Sequence, residues 1–203
     1  MKLRTKIGLA VLILMVLGGS AAFVHIVVYG FSAKDQPTKI EKFMARQFRR
    51  WAVPRAAREM KNPVPATPEV VKSGMAHFAD HCASCHANDG GGGTEMGRNM
   101  YPKAPDMRKS PTQSLSDGEL FYTIKNGIRL TGMPAWGDDT PESDVQSWHL
   151  VHFIRHLPNL SQEETEEMEN LNPKSFEEFK ENEEILKFLG EGKKAPETRK
   201  HQH

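Results

Sequence analysis

The sequence predicts an all-α protein, in which one transmembrane helix precedes a domain of three or more helices. An uncharged run of 25 residues from Ile7 to Phe31 predicts the first helix. Helix-capping patterns at Thr67, Ser116 and Thr140 predict three more. Between these starts, apolar and polar residues do not alternate as they would in strands.

The composition excludes several classes of protein. The 203 residues include 27 Lys and Arg, 26 Asp and Glu, and two Cys, unlike a disulfide-rich scaffold, a collagen-like chain or a fully disordered chain. Residues 34–66 hold nine basic and three acidic residues, whereas residues 159–203 hold seven basic and twelve acidic ones. No compact domain is strongly basic, so nucleic acid is not an expected partner.

The uncharged run is long enough to cross a bilayer. A helix rises ~1.5 Å per residue, and the hydrocarbon core is roughly 30 Å thick. The alternative is a cleaved signal peptide with Leu9–Leu17 as its apolar region and Ser20-Ala21-Ala22 as its cleavage site. Because Phe23–Phe31 remains apolar beyond that site, the sequence favours an uncleaved anchor in the lipid bilayer.

A basic amphipathic segment follows the anchor. Its apolar residues recur at helical spacing, and cations fill much of the remaining surface. Such a helix fits two positions equally well: in the lipid headgroup region, or packed on its own domain or a partner subunit. Pro54 should end it, and residues 62–65 should form a stiff, extended linker. The apolar residues are Ile40, Phe43, Met44, Phe48 and Trp51.

The capping patterns predict helices over residues 68–81, 117–126 and 141–157. Gly127 should end the second of them. Residues 87–114 are rich in Gly, Pro and polar residues and are predicted to be loop. A core of roughly 90 residues with this much loop is short of apolar burial and usually needs a covalent or metal staple.

Cys82-Ala83-Ser84-Cys85-His86 supplies a candidate for that staple. C-x-x-C-H is the pattern of c-type haem attachment, in which both thiols become thioethers and the adjacent His ligates the iron. A redox dithiol and half of a zinc site are the alternatives. The dithiol lacks a βαβ context, and the zinc site lacks a second Cys pair.

With these surroundings, residues 67–158 resemble the class I cytochromes c. Gly74 and Phe78 precede the cysteines in the frame Gly-x-x-x-Phe-x-x-x-Cys, and residues 131–136, Thr-Gly-Met-Pro-Ala-Trp, resemble the sixth-ligand loop of that family. Three helices come in the family's order, and the last is rich in aromatic residues. The resemblance implies a cytochrome c-like domain around a covalent haem, with its first and last helices crossing at Gly74.

The resemblance also implies the iron ligands. His86 is the expected proximal ligand and Met133 the sixth ligand; His/Met ligation raises the reduction potential relative to His/His. The family's second-shell acceptor for the proximal His is a loop proline carbonyl, which Pro105 resembles most and Pro102 less. Rival ligands by residue type are Met96, Met100, Met107, His149, His152 and His156.

Several other polar residues have two interpretations. Trp136 and Arg129 flank the methionine loop and either contact haem propionates or are packing and surface residues. His77 and His81 share a helix face, which suits a metal pair, but no third ligand is evident and solvated histidines are the preferred interpretation.

The acidic C-terminal region lies beyond the family pattern. Ser161-Gln162-Glu163-Glu164 should open one helix and Asn172-Pro173 another. The region has three alternative roles: wrapping the domain, docking on a partner, or pairing with the basic helix. The end of the chain, residues 193–203, is expected to be disordered.

These features divide the chain into four predicted parts. Residues 1–33 are an N-terminal transmembrane anchor and residues 34–66 a basic amphipathic helix with a Pro-rich linker. Residues 67–158 are a cytochrome c domain, and residues 159–203 an acidic extension.

The resemblance implies an electron carrier rather than an enzyme. We expect one covalent haem c with its iron, a single-pass anchor in the bacterial inner membrane, and the haem domain on the periplasmic side. The expected partners are the bilayer and redox complexes that donate and accept single electrons, with no small-molecule substrate. One alternative is a fixed haem c subunit of an oxidase, reductase or dehydrogenase complex. Another is a haem-based gas sensor or ligand-binding protein.

Overall fold

The computed structural model describes residues 3–30 and 32–173. Within these residues every regular element is helical, so the predicted all-α fold class is confirmed. A π-helical turn, Phe78–Cys82, precedes α5, and a 3₁₀ turn, Leu157–Asn159, follows α9. The helices are α1 (Leu3–Tyr29), α2 (Lys39–Ala52), α3 (Arg55–Glu59), α4 (Pro68–His77), α5 (Ala83–His86), α6 (Glu95–Asn99), α7 (Ser110–Gln113), α8 (Asp117–Asn126), α9 (Pro141–His156) and α10 (Gln162–Leu171).

The chain divides into two compact units, and α1 belongs to the first, Met1–Asp35, whereas the other helices belong to the second. The 27 residues of α1 are long and apolar enough to cross a membrane, and all of them are exposed. The predicted N-terminal apolar helix is therefore present. It begins four residues before Ile7, so it also carries Arg4 and Lys6 at its start.

The core of the second unit forms where α4 crosses α9. A Cβ atom on Gly74 would overlap the His149 carbonyl oxygen and lie 3.0 Å from the Phe153 Cβ. The missing side chain therefore brings the two helix backbones together, as the resemblance implied. Next to this crossing, the rings of Phe78 and Phe153 lie 5.1 Å apart. The other large buried residues of this core are Met75, Met107, Leu120, Phe121, Ile124, Trp148, Leu150, Val151, Ile154, Leu157 and Met168.

Three helices begin where the capping patterns predict. The side-chain oxygens of Thr67, Ser116 and Thr140 each accept a hydrogen bond from the backbone N–H three residues further on. Each bond satisfies one of the free donors at a helix start. Gly127 ends α8 with a φ of 64°, as expected of a glycine at that position.

Two expectations about local structure need correction. The helix predicted over residues 68–81 is α-helical only to His77, and a π-helical turn carries the chain on to Cys82. Residues 87–114 are not all loop, because they contain α6 and α7. Tertiary contacts hold α7: the Gln113 side chain donates to the Ile154 carbonyl (2.8 Å), and Arg155 donates to the Gln113 carbonyl (2.8 Å).

The linker before α4 is extended and bound to α9. The Asn62 side-chain amide donates to the Trp148 carbonyl at 3.0 Å, and a ring nitrogen of His152 lies 2.8 Å from the Val64 carbonyl. Just upstream, a Cβ on Gly118 of α8 would overlap the Ala57 carbonyl of α3. The segment between α2 and α4 is therefore fixed to the helical core.

The acidic region begins by wrapping the domain. Met168 of α10 is fully buried in the core. At the surface, Glu167 pairs with Lys72 of α4 at 2.8 Å, and Glu164 lies 2.8 Å from a ring nitrogen of His156. The second predicted helix after Asn172-Pro173 and the tail at residues 193–203 lie outside the described residues.

Replacing Gly74 with alanine tests the crossing. The new methyl group would meet a backbone carbonyl that cannot swing aside, so we expect the free energy of unfolding to fall by about 1–3 kcal/mol. Gly93→Ala is the matched control because a Cβ there meets nothing within 4 Å. The free energy of unfolding of each variant is measured by chemical denaturation, with circular dichroism as the signal. Equal stability of the two variants would contradict the crossing.

Candidate functional site

The Cys82–His86 segment lies at the end of a continuous helical path from α4. The π-helical turn inserts an extra residue into that path, a feature often found at functional sites. Ala87 then leaves the helix with a positive φ of 59°, and its N–H still bonds to the Ala83 carbonyl at 2.8 Å. The His86 carbonyl accepts from the Gly92 N–H at 2.7 Å. Backbone hydrogen bonds therefore hold the C-terminal end of the segment.

The two cysteines lie on successive turns and form no disulfide with each other. Cys82 packs against the hydrophobic core, and burial raises the pKa of its thiol to about 12, with Cys85 and Asp80 adding to the rise. Cys85 faces outward, with its Sγ atom 3.4 Å from the Met96 sulfur. The three-residue spacing places the two thiols on neighbouring turns of one helical path.

The surroundings of the His86 ring favour its neutral form. Burial lowers its pKa below the ordinary value, and the Pro105 carbonyl raises it by a smaller amount. A lowered pKa keeps the imidazole neutral, which is the form that binds a metal ion. Nδ1 is buried and makes no hydrogen bond of normal geometry within the described residues. The Pro105 carbonyl is near enough to raise the pKa of the ring, but the two do not form a hydrogen bond of that geometry.

The loop that carries Pro105 is fixed by polar contacts. Arg108 pairs with Asp89 at 2.7 Å and with Asp106 at 2.8 Å, and its hydrogen bond to Asp106 holds the pKa of that carboxyl below its usual range. A Cβ on Gly92, where φ is 71°, would lie 2.5 Å from the Ala104 carbonyl oxygen. This close approach of the glycine-rich turn to residues 104–106 brings Pro105 to the His86 ring.

Met133 lies in a tight turn between α8 and α9. The Thr131 hydroxyl accepts from the Met133 N–H at 3.1 Å and donates to the Ile128 carbonyl at 2.7 Å. Met133 itself is half-buried. A Cβ on Gly132 would lie 2.6 Å from the Met100 sulfur, so a second thioether lies beside this turn. Trp136, just after the turn, stacks on His81 with ring centroids 5.2 Å apart.

The structure therefore brings Cys82, Cys85, His86 and Pro105 together around one segment. Trp136, just after the methionine turn, contacts His81, the residue that precedes the segment. Arg129 is exposed at the edge of the turn. Sequence reasoning missed the ion pair between Arg108 and Asp89 because the two residues are 19 positions apart in the chain. It also missed the place of Met100, which was considered only as a rival ligand by residue type.

The rival histidines are engaged elsewhere in the domain. His149 lies 3.0 Å from the Ser73 hydroxyl, and His152 and His156 contact Val64 and Glu164 as described above. Within residues 3–30 and 32–173, no three His, Cys, Asp or Glu side chains are grouped as a metal site would need. A zinc site built on Cys82 and Cys85 thus lacks its other ligands there.

The sequence suggested that His77 and His81 are solvated, and this expectation needs correction. Both are half-buried, and their rings meet edge to face at 4.9 Å. Burial, with the charges of His81 and His149, lowers the pKa of His77 to about 4. The neighbouring Asp80 opposes this shift but does not reverse it.

The known proteins that resemble this chain match it in the region that contains the candidate site. The family model described as "Cytochrome C oxidase, cbb3-type, subunit III" matches residues 69–154. The curated relatives include "Cbb3-type cytochrome c oxidase subunit FixP" of Rhizobium meliloti (strain 1021), 36% identical over 76 residues, which are 37% of this chain and 26% of the relative. A protein of the same description from Sinorhizobium medicae (strain WSM419) is 34% identical over 74 residues, 36% of this chain and 25% of the relative.

These matches are local. Each spans about a quarter of the relative's length. The family match includes Cys82, Cys85, His86, Pro105 and Met133, and it leaves α1, α2 and α10 outside.

The lowered pKa of His77 predicts acid sensitivity. Between pH 6.5 and about 4 the unfolded chain takes up a proton that the folded chain resists, so stability present above pH 6.5 is lost as the pH falls towards 4. His77→Gln should flatten this part of the profile, relative to the parent protein. Denaturation in detergent across that pH range measures the difference. Parallel profiles for the two proteins would contradict it.

Proposed function

We propose, from the premise that residues 69–154 form a cytochrome c domain, that this chain is a membrane-anchored, periplasm-facing monohaem cytochrome c. It passes single electrons between respiratory or other redox complexes. The observation that carries the proposal is the Cys82–His86 segment, with its buried imidazole nitrogen turned away from bulk water and its two thiols on successive turns.

The residues of the segment fit a covalent haem c. Cys82 and Cys85 would form the two thioethers, and His86 would be the proximal ligand with the Pro105 carbonyl as acceptor for its Nδ1–H. Met133 would supply the sixth ligand from its turn. The described residues hold one C-x-x-C-H, which supports a single haem.

Bound haem supplies an iron that takes up and releases one electron at a time. His86 and Met133 would hold the iron as two neutral ligands, and a thioether ligand would favour the ferrous state. With both of these side chains bound, the iron would have no position open to a substrate. That arrangement suits outer-sphere electron transfer rather than substrate chemistry.

Helix α1 would hold the domain at the membrane as a single-pass anchor in the bacterial inner membrane. Thioether-linked haem is attached outside the cytoplasm in bacteria, as the family resemblance implies, which supports the periplasmic side. Confinement to the bilayer surface raises the effective concentration of the domain near membrane-bound partners. The bilayer, an electron donor and an electron acceptor are therefore the proposed partners.

A fixed haem c subunit of a membrane oxidase is the second candidate. It is favoured by the family description and by the two relatives, all of which are named as oxidase subunits. Recovery of the chain in a stable detergent complex with other subunits would support this candidate. A monomer would support the free carrier.

Met133→Ala tests the ligand set. In the visible spectrum, the reduced parent protein should show a six-coordinate, low-spin c-type haem that does not change when carbon monoxide is added. The Met133→Ala protein should bind carbon monoxide stoichiometrically, because its sixth position is open.

Met100→Leu is the matched control, since Met100 lies beside the same turn and leucine preserves most of its volume. This variant should remain inert to carbon monoxide. Carbon monoxide binding to the Met100→Leu protein but not to the Met133→Ala protein would show that Met100, and not Met133, is the sixth ligand of the iron. Rapid binding to the parent protein would favour a gas sensor over an electron carrier.

A further inference from the structure

We infer that the apolar face of α2 lies in the lipid headgroup interface of the bilayer that α1 crosses. Membrane lipid is the proposed occupant of this face, which we name the α2 stripe and define as Ile40, Phe43, Met44, Phe48 and Trp51. The inference rests on the proposed anchoring by α1. It goes further by giving the haem domain a second, orienting contact with the membrane.

The α2 stripe is exposed to a degree that a water-soluble surface rarely shows. Ile40 is 76% exposed, Phe43 60%, Phe48 56% and Trp51 68%. Five large apolar side chains on one helix form a contiguous patch, and such patches mark interaction sites. Elsewhere in the described residues beyond α1, large exposed apolar side chains are scattered, among them Met96, Leu130 and Val145.

The opposite side of α2 is already occupied. Val53, at the end of the helix, is 5% exposed, and Arg49 is half-buried in a small cavity that Glu119 of α8 also lines; burial lowers the pKa of the Arg49 guanidinium. Arg58 of α3 donates to the Val53 carbonyl at 2.9 Å and also to the Arg50 carbonyl. Near the start of the helix, the Tyr101 hydroxyl donates to Glu41 at 3.1 Å.

These contacts fix the rotation of α2 about its axis. At about 100° per residue, Arg49 and Val53 lie on the side of the helix opposite to the middle of the α2 stripe. The stripe therefore points away from the domain. Turning it inward would require breaking the contacts of Val53, Arg58 and Tyr101.

The chain connection makes the bilayer the nearest apolar phase. Nine residues separate the end of α1 at Tyr29 from the start of α2 at Lys39. Fully extended, such a segment spans at most about 30 Å, which limits how far α2 can lie from the surface that α1 is proposed to enter. A helix with an apolar stripe at that position lies in the interface plane.

The charges of α2 fit an anionic membrane surface. The helix carries five basic residues and one acidic residue, Glu41. Lys39 and Arg50 border the stripe beside Phe43, where their long side chains can extend to lipid phosphates. Each cation near an anionic leaflet adds to the attraction between the helix and the membrane.

Membrane depth at α2 can be measured in the full-length haem protein. Three variants each receive one added cysteine that carries a nitroxide spin label. Phe48→Cys lies on the stripe, Arg46→Cys lies on the basic side of α2, and Val16→Cys lies in α1 and reports on the anchor. The protein is placed in nanodiscs of phosphatidylcholine with phosphatidylglycerol. Relaxation by oxygen, which concentrates in lipid, is compared with relaxation by a water-soluble nickel chelate.

The expected result is a label at position 48 that is more accessible to oxygen than to nickel, and a label at position 46 with the reverse preference. The Val16 label should be deeper than both. Phe43→Cys repeats the stripe measurement, and an unchanged haem spectrum verifies folding in each variant. In nanodiscs of phosphatidylcholine alone, the oxygen preference at position 48 should decrease.

Two results overturn the inference and are distinguishable. A lipid-buried label at position 16 with water-exposed labels at positions 48 and 43 leaves the anchor intact and assigns the stripe to a protein partner. A water-exposed label at position 16 refutes the proposed anchor and, with it, this inference.

Discussion

Gly74 brings the backbone of α4 against the His149 carbonyl of α9, and the position of the site residues follows from that contact. Phe78, one turn later, is buried against Phe153. The π-helical turn then delivers Cys82 to the edge of the core and His86 to the end of the helical path. A side chain at position 74 would separate the helices and move the whole segment outward.

Much of this architecture is readable from local patterns. Capping residues fix the helix starts because a side-chain oxygen satisfies a donor three residues away, a contact that depends on nothing distant. The C-x-x-C-H segment can also be recognised from the sequence, because its residues are neighbours in the chain. By contrast, α7 exists because Gln113 and Arg155 exchange hydrogen bonds with distant carbonyls, and no local pattern reports them. The π-helical turn likewise depends on what its residues pack against.

The surroundings of the site could be predicted only in part. Pro105 and Met133 remain predictions from a family resemblance, because no local pattern shows which side chains lie near a buried histidine. The fixation of Pro105 by Asp89, Arg108 and the Gly92 turn joins residues that are far apart in the chain. The approach of Met100 to Gly132 joins two loops in the same way. Outside the region that the family model matches, α2 presents Arg49 and Val53 inward and its apolar side outward, which is the arrangement that the proposed lipid contact requires.

Covalent attachment of one haem to Cys82 and Cys85 is the central claim, and mass spectrometry tests it most directly. The full-length protein is produced in a bacterium that attaches haem in its periplasm, treated with an alkylating reagent, and measured intact and after proteolysis. The account predicts a chain heavier by a single haem, no alkylated cysteine, and one haem-bearing peptide that contains residues 82–86. An unmodified chain with both thiols alkylated would contradict it.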